Sequence, residues 1–141
     1  MKKQLAKILI IDDTPSIIDF IKDALVKEGH KIYMAISGEK GIEIAKQINP
    51  DIILLDVLMP GINGFETCIK LKEIPETKET PVIFMSALNE AIDKVKAFNA
   101  GAIDYLTKPV NKEELIIRIQ THLAALQKVR DDREELQQVN S

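Results

Sequence analysis

Short apolar runs rich in Ile, Leu and Val alternate along the chain with segments of helical periodicity. Apolar runs of about five residues without interleaved polar positions are typical of strands buried on both faces of a sheet. Five strands are predicted in this way, the second and fifth from weaker patterns: 7–11, 31–36, 51–55, 81–85 and 102–106.

Between these strands, apolar residues recur at spacings of three and four, as they do on the buried face of an amphipathic helix. The first helix is predicted to end at Glu28, the second covers 38–47, and the fifth begins at Asn111, a favourable N-cap residue. The predicted buried faces of the first, third and fourth helices are Ile17, Phe20, Ile21, Ala24 and Leu25; Phe65, Cys68, Ile69 and Leu71; and Ile92, Val95, Lys96 and Phe98.

This alternation is typical of the α/β class, in which helices cover both faces of a parallel sheet. Right-handed crossovers leave few topologies. We predict a doubly wound five-stranded parallel sheet of order 2-1-3-4-5, with five helices and an extended C-terminal helix. The predicted domain covers 1–120, and 121–141 form a helical extension or a linker toward an output module.

The last helix carries a heptad-like stripe in its C-terminal part. The stripe consists of Ile119, His122, Leu126, Val129, Arg133 and Leu136. Two of its positions, His122 and Arg133, are imperfect. Two interpretations stand equal for 119–136: one long final helix with a solvated end, or a helix that leaves the domain and pairs with a second copy.

Composition excludes several classes of function. The 141 residues carry a net charge of −3, and they contain no long basic run, so we expect no direct binding of nucleic acid. A single cysteine excludes an internal disulfide. The apolar runs are too short to cross a bilayer, and the stretch that ends at Asp12 is too short for a signal peptide. We therefore expect a cytoplasmic protein without membrane insertion.

Acidic and polar side chains stand at the carboxyl ends of four predicted strands. Asp12 and Asp13 follow the first strand, Asp56 the third, Ser86 the fourth and Lys108 the fifth. Ligands of a doubly wound sheet bind beyond these ends, where the strand order reverses. Three carboxylates would then crowd one crevice and repel one another, so the site requires a cation or bound protons.

The residue types at this edge fit one chemistry. No His or Cys lies at these strand ends, and oxygen ligands suit Mg²⁺ or Mn²⁺ rather than soft metals. The ammonium of Lys108 and the hydroxyl of Ser86 are suited to phosphoryl oxygens. A carboxylate nucleophile, a hard cation, an ammonium and a hydroxyl together favour phosphoryl transfer onto an aspartate.

Each residue taken alone also has a simpler explanation. Asp12 or Asp13 could cap the helix that starts near Thr14, and Lys108-Pro109 could be a helix breaker whose peptide isomer the sequence leaves open. The PGINGFE segment fits neither phosphate-loop spacing. It is predicted to be a turn with unusual backbone angles at its Asn-Gly pair. The functional hypothesis is favoured because four strand ends carry compatible chemistry at once.

The segments ILIIDD, DIILLDVLMPGINGFE, PVIFMSA and AGAIDYLTKP together resemble the receiver domain of two-component response regulators, over residues 6–120. The resemblance implies a flavodoxin-like fold, as in chemotaxis regulators, and a signalling receiver rather than an enzyme. It implies that Asp56 accepts a phosphoryl group from a histidine kinase or a histidine phosphotransfer protein. Lys108 and Ser86 match the residues that contact this group.

The same resemblance implies a Mg²⁺ site and a switch. The implied ligands are Asp13 directly, Asp12 usually through water, Asp56, and the backbone carbonyl of Leu58. Tyr105 matches an aromatic residue that moves inward when the hydroxyl of Ser86 turns to the phosphoryl group. The face of the fourth helix, fifth strand and fifth helix then changes shape. Dimerisation through that face or the C-terminal helix would carry the signal, and the extension favours the receiver part of a larger signalling protein.

Leu58 and Leu88 lie two residues after Asp56 and Ser86. Side chains at these places in the family help set how water reaches the phosphoryl group. Both are apolar here, which leads to the hypothesis that water is poorly positioned and the phosphorylated state is long-lived, with slow autodephosphorylation.

Two rival functions share some of these features. A phosphatase of the haloacid-dehalogenase type needs a second Asp two residues after its nucleophile, whereas Asp12 and Asp13 are adjacent and are followed by Thr14. A degenerate receiver would bind partners without phosphorylation. The intact acid pair, together with Asp56 and Lys108, argues against it.

Overall fold

The structure, a computed structural model, describes residues 5–87 and 91–139. Strands and helices alternate along the chain: β1 (Lys7–Ile11), α1 (Pro15–Lys27), β2 (Lys31–Ala35), α2 (Gly38–Ile48), β3 (Ile52–Asp56), α3 (Gly64–Glu73), β4 (Val82–Ser86), α4 (Ala91–Asn99), β5 (Asp104–Thr107) and α5 (Lys112–Val139). The strands form one parallel sheet of order β2-β1-β3-β4-β5, so the predicted class and strand order are confirmed.

The sheet is buried on both faces because alternate strand residues point to opposite sides. On one side, Leu9, Ile53 and Phe84 belong to a core that also contains side chains of α3 and α4. On the other, neighbouring residues such as Ile8 and Ile52 belong to a core shared with α1 and α5. Strands buried on both faces explain the continuous apolar runs in the sequence.

The register of the parallel strands brings their carboxyl ends to one edge. Ile11 lies opposite Leu55, and Asp56 lies opposite Met85. Ser86 is paired in turn with Thr107, the residue before Lys108. Asp56 and Ser86 are the last residues of their strands, and each lies one position beyond the predicted end. The sheet therefore fixes the backbone of both residues.

Several apolar residues predicted to be buried are exposed. Phe20, Ile69, Val95 and Phe98 all expose about half of their side chains, and Ile36 lies beyond the end of β2. The apolar arcs of these helices are wider than the surfaces they cover, and the buried stripe of α1 runs through Ile18 instead. The side chain of Ile92 lies outside the described part of the structure.

The C-terminal helix α5 begins as predicted and continues without a break through the predicted boundary at 120. Asn111 is its cap, since the side-chain oxygen of Asn111 accepts the backbone N–H of Glu114 at 2.9 Å. Ile119 is buried in the domain's own core, whereas Leu136 is 63% exposed. One long helix is thus what forms, while its pairing with a second copy and the division into domain and extension stay predictions.

Two arginines in the C-terminal part of α5 form ion pairs near the amino edge of the sheet. Arg130 lies 3.2 Å from Asp51, the residue before β3, and Arg133 lies 3.8 Å from Glu79 in the loop before β4. Within residues 5–87 and 91–139, no helix combines the length and apolar composition needed to cross a bilayer.

Candidate functional site

Three carboxylates meet at the carboxyl edge of the sheet. Asp12 follows β1 and is fully buried, Asp13 is exposed beside it, and Asp56 ends β3 and is 4% exposed. One oxygen from each of the three lies within 4.8 Å of the others. The prediction that these acids meet although they are far apart in sequence is confirmed.

Lys108 bridges the two buried carboxylates. Its Nζ lies 2.9 Å from Asp12 Oδ2 and 3.2 Å from Asp56 Oδ1, and its side chain is 15% exposed. The backbone N–H of Lys108 donates to the carbonyl of Ser86 at 2.8 Å, and the Lys108–Pro109 peptide bond is cis. Burial alone would lower the pKa of Lys108, but the hydrogen bond with Asp12 and the charges of both acids outweigh burial and raise it.

Asp56 is the acid with a strongly perturbed affinity for protons. Burial raises its pKa to about 6, the charge of Asp12 acts in the same direction, and Lys108 only partly opposes them. The backbone N–H of Leu58 also donates to this carboxylate. A carboxylate whose ionised form is destabilised in this way binds a proton or a cation more readily than a solvated carboxylate does.

The simpler explanation of the acids at the end of β1 is wrong. Thr14, rather than Asp12 or Asp13, is the N-cap residue of α1, and Pro15 occupies the first helical position. Asp12 accepts the N–H of Thr14 with one oxygen at 2.9 Å and the ammonium of Lys108 with the other. Asp12 is therefore oriented from two sides toward the site.

Glycines shape the loop between Asp56 and α3. A Cβ on Gly64 would lie 2.2 Å from the carbonyl oxygen of Asp56, so only glycine lets α3 start this close to β3. The predicted unusual angles at Asn63 and Gly64 are wrong, because the positive φ belongs to Gly61. Asn63 instead forms a capping box with Glu66, whose carboxylate accepts the N–H of Asn63 in return.

Ser86, the last residue of β4, and Tyr105 of β5 form a buried polar pair. Both are buried, and their side chains share a hydrogen bond. Burial raises the pKa of Tyr105, as do the charges of Asp93 and Asp56, whereas the bond with Ser86 opposes the shift. Tyr105 is thus in the inward position in this structure.

An ionic cluster next to Tyr105 was not predicted from the sequence. Asp104 accepts hydrogen bonds from Arg118 at 2.8 and 3.0 Å, and it lies 2.8 Å from His122 Nε2. Although burial would raise the pKa of Asp104, the hydrogen bonds with His122, Tyr105 N–H and Arg118 hold it below its ordinary value. The spacing of four between Arg118 and His122 was a usable indication of one polar face on α5.

An apolar pocket of about 490 Å³ opens beside the site and was also not predicted. It is lined by Ser16, Ile17, Phe20, Ala87, Lys108, Pro109 and Val110. Its position explains why Phe20 is exposed, since this side of α1 faces the mouth of the site and not the sheet.

The fold and the site define a doubly wound α/β domain of the receiver class, with acids and a lysine at the carboxyl edge of its sheet. A family model described as the response regulator receiver domain matches residues 8–120, and the chain belongs to this family. The chain is therefore a receiver domain of a signalling protein.

Relatives of known name agree with this assignment. The DNA-binding dual master transcriptional regulator RpaA of Synechocystis sp. is 40% identical over 119 residues, which cover 84% of this chain but 49% of RpaA. Protein PilH of Pseudomonas aeruginosa is 41% identical over 120 residues, covering 85% of this chain and 99% of PilH. A two-component response regulator from Clostridium difficile superposes with a TM-score of 0.81 at 30% identity, covering 85% of this chain and 97% of that one.

Proposed function

We propose that this receiver takes a phosphoryl group onto Asp56 from a phosphorylated histidine of a kinase or phosphotransfer protein. The observation that carries the proposal is the position of Asp56: it is buried against Asp12, it has a raised pKa, and Lys108 Nζ lies 3.2 Å away. A carboxylate in this place is oriented by the sheet and by the N–H of Leu58, and 4% of the Asp56 surface is exposed for a donor to reach.

The site fits a hard divalent cation, because its donors are carboxylate oxygens whose mutual repulsion a cation relieves. The residues that would hold Mg²⁺, or Mn²⁺, are Asp12, Asp13, Asp56 and the backbone carbonyl of Leu58. When bound, the cation neutralises charge on the carboxylates and on the phosphoryl oxygens.

In the transfer step, a carboxylate oxygen of Asp56 forms a bond to phosphorus while the bond from phosphorus to the histidine nitrogen breaks. The electron pair of the broken bond stays on the imidazole, which leaves. Lys108 exchanges a carboxylate oxygen for a phosphoryl oxygen, and the Ser86 hydroxyl donates to another. The new charge at Asp56 then biases the contact between Ser86 and Tyr105, next to the cluster that joins β5 to α5.

Uptake from a small phosphodonor tests this proposal. Intact-mass spectrometry of the chain incubated with acetyl phosphate is expected to show one added phosphoryl group when Mg²⁺ is present and none when a chelator removes it. Asp13→Asn is expected to slow uptake because it removes the exposed carboxylate of the cation site. Absence of labelling in Mg²⁺ would support a degenerate receiver, and turnover of small phosphoesters would support the phosphatase.

Leu58 is expected to control the lifetime of the phosphorylated state. It is 58% exposed and lies two residues after Asp56, where an apolar side chain cannot orient a water molecule. Leu58→Asn is expected to shorten the half-life several-fold, and Leu58→Ala is expected to leave it unchanged, as measured by loss of label after donor removal. An unchanged lifetime in Leu58→Asn would contradict the hypothesis. Leu88, the other residue of that hypothesis, lies outside the described residues.

Phe20 is expected to contribute to docking of the histidine donor. Its exposed ring lines the apolar pocket that opens beside Lys108, so a protein donor that reaches Asp56 covers it. Phe20→Ser is expected to lower the transfer rate from a phosphorylated histidine protein by about tenfold, while the rate from acetyl phosphate stays at the parent value. Val26→Ser, on an exposed part of the same helix, is the matched control. If the transfer rates from both donors fell equally, Phe20 would support the structure of the domain and not the docking of the protein donor.

Self-association and a cytoplasmic location remain part of the proposal. Val95 and Phe98 leave apolar surface on α4, and Leu136 leaves it on the extension, so the α4-β5-α5 face and the C-terminal helix are the two surfaces that a second copy could cover.

A further inference from the structure

Glu39, the second residue of α2, reaches the loop that follows Asp56. Its Oε1 accepts the backbone N–H of Ile62 at 3.3 Å. Its two carboxylate oxygens lie 3.0 and 3.4 Å from the place that a Cβ on Gly61 would occupy. The carboxylate thus lies directly over the bare α-carbon of Gly61, which has a φ of 78°.

This loop, residues 57–63, is the acceptor loop, and it is anchored at both ends by other contacts. At its start, the N–H of Val57 donates to the carbonyl of Met85 at 3.2 Å, and Gly64 N–H donates to Val57 at 2.8 Å. At its end is the capping box of α3. The middle of the loop is largely exposed, so Glu39 supplies an anchor from another element where packing is weakest.

The start of α2 is itself fixed against the acceptor loop and α3. A Cβ on Gly38 would clash with Thr67 Oγ1 and Ile62 Cγ1, so the backbone before Glu39 packs directly on both. Hydrogen bonds from its own N–H and from Ile62 N–H lower the pKa of Glu39, burial opposes them slightly, and the charge of Lys70 adds to them. The anchor is therefore an ionised carboxylate, and the backbone before it is closely packed against the acceptor loop and α3.

We propose that Glu39 is a positioning residue for the cation site: it holds the acceptor loop in the conformation that keeps Leu58, whose N–H donates to the Asp56 carboxylate, in place at the site. The inference rests on the proposed function, since it concerns the loop that would supply the backbone ligand. If an exposed loop must become ordered when the cation binds, the loss of conformational entropy weakens the affinity for the cation. An anchor that orders the loop beforehand removes this cost and so raises the affinity.

Calorimetric titration of the full chain with Mg²⁺ tests the inference. Glu39→Ala is expected to weaken Mg²⁺ binding about threefold, the effect of one exposed hydrogen bond. Glu39→Gln keeps an oxygen acceptor without the charge and is expected to recover most of the affinity. Glu43→Ala is the matched control, because Glu43 lies on the same helix and its carboxylate pairs with Lys40 at 3.6 Å; it is expected to bind like the parent.

A second readout separates positioning from a general loss of structure. In Glu39→Ala, the Mg²⁺ concentration for half-maximal uptake from acetyl phosphate should rise about threefold, while the rate at saturating Mg²⁺ returns to the parent value. Parent-like affinity in Glu39→Ala, or an equal loss in Glu43→Ala, would overturn the inference. If Asp13→Asn loses Mg²⁺ while Glu39→Ala does not, only this inference fails; if Asp13→Asn binds like the parent, the proposed function fails.

Discussion

Asp56→Asn is expected to stabilise the metal-free protein by about 1–3 kcal/mol at pH 7.5, because each unit of pKa shift corresponds to about 1.4 kcal/mol. The Asp56 carboxyl has its pKa raised from 3.8 to about 6, first by burial and then by the charge of Asp12. At neutral pH the folded chain therefore carries an ionised carboxylate whose charge its surroundings destabilise. Asparagine has nearly the same shape and no charge, so it removes this cost.

The sign of the pH dependence follows from the direction of the shift. A carboxyl with a higher pKa in the folded chain binds its proton more tightly when folded. Its favourable contribution is complete below the unfolded pKa, near 3.8, and is lost as the pH rises through about 6. Relative to Asp56→Asn, the parent should therefore lose stability from about pH 4 to pH 7 and then level off.

Urea denaturation of both chains in chelator across this pH range measures the difference. Asp13→Asn is the control, because Asp13 is the exposed member of the cluster and water screens its charge; its effect should be the smaller one. A parent that is more stable than Asp56→Asn at neutral pH would show that the carboxylates do not repel as the geometry indicates.

Lys108→Met is expected to destabilise the metal-free protein by about 2–4 kcal/mol at pH 7.5, because it leaves two buried carboxylates without a counter-charge. The ammonium lies 2.9 Å from Asp12 and 3.2 Å from Asp56, and methionine keeps the length of the side chain but not its charge. Because a cation replaces the lost charge, saturating Mg²⁺ should restore a large part of the stability.

Urea denaturation with Mg²⁺ and with chelator distinguishes this effect from loss of packing. Lys40→Met is the matched control: Lys40 pairs with Glu43 at 3.6 Å on the surface, and its removal is expected to cost less than about 1 kcal/mol. A Lys108→Met chain as stable as Lys40→Met, or one that Mg²⁺ does not rescue, would contradict the role of Lys108 as the counter-ion of the site.

The sheet and the meeting of the acids could be predicted because each depends on a repeated local pattern. Continuous apolar runs identify strands buried on both faces, and the crossover rule then limits their order. Once β1 and β3 are neighbours, Asp12 and Asp56 must approach each other. The roles of the residues around these two acids were predicted from the resemblance of the same segments to a known family.

What could not be predicted depends on contacts between distant elements. Periodicity places Phe20 on an apolar face, but only the packed structure shows that this face borders a pocket. Thr14, and not Asp12 or Asp13, is the N-cap residue of α1. Asp12 instead accepts a hydrogen bond from Lys108, which lies 96 positions later in the sequence. The hydrogen bond between Glu39 and Ile62 likewise depends on tertiary packing, and no spacing in the sequence predicts this contact.

Peptide mass spectrometry after incubation with acetyl phosphate and Mg²⁺, with the acyl phosphate trapped by reduction, decides whether Asp56 is the phosphoacceptor. The parent chain should carry the modification at Asp56 alone, and Asp56→Asn should carry none although it is folded. Modification of another residue in the parent, or equal labelling of Asp56→Asn, would contradict the assignment.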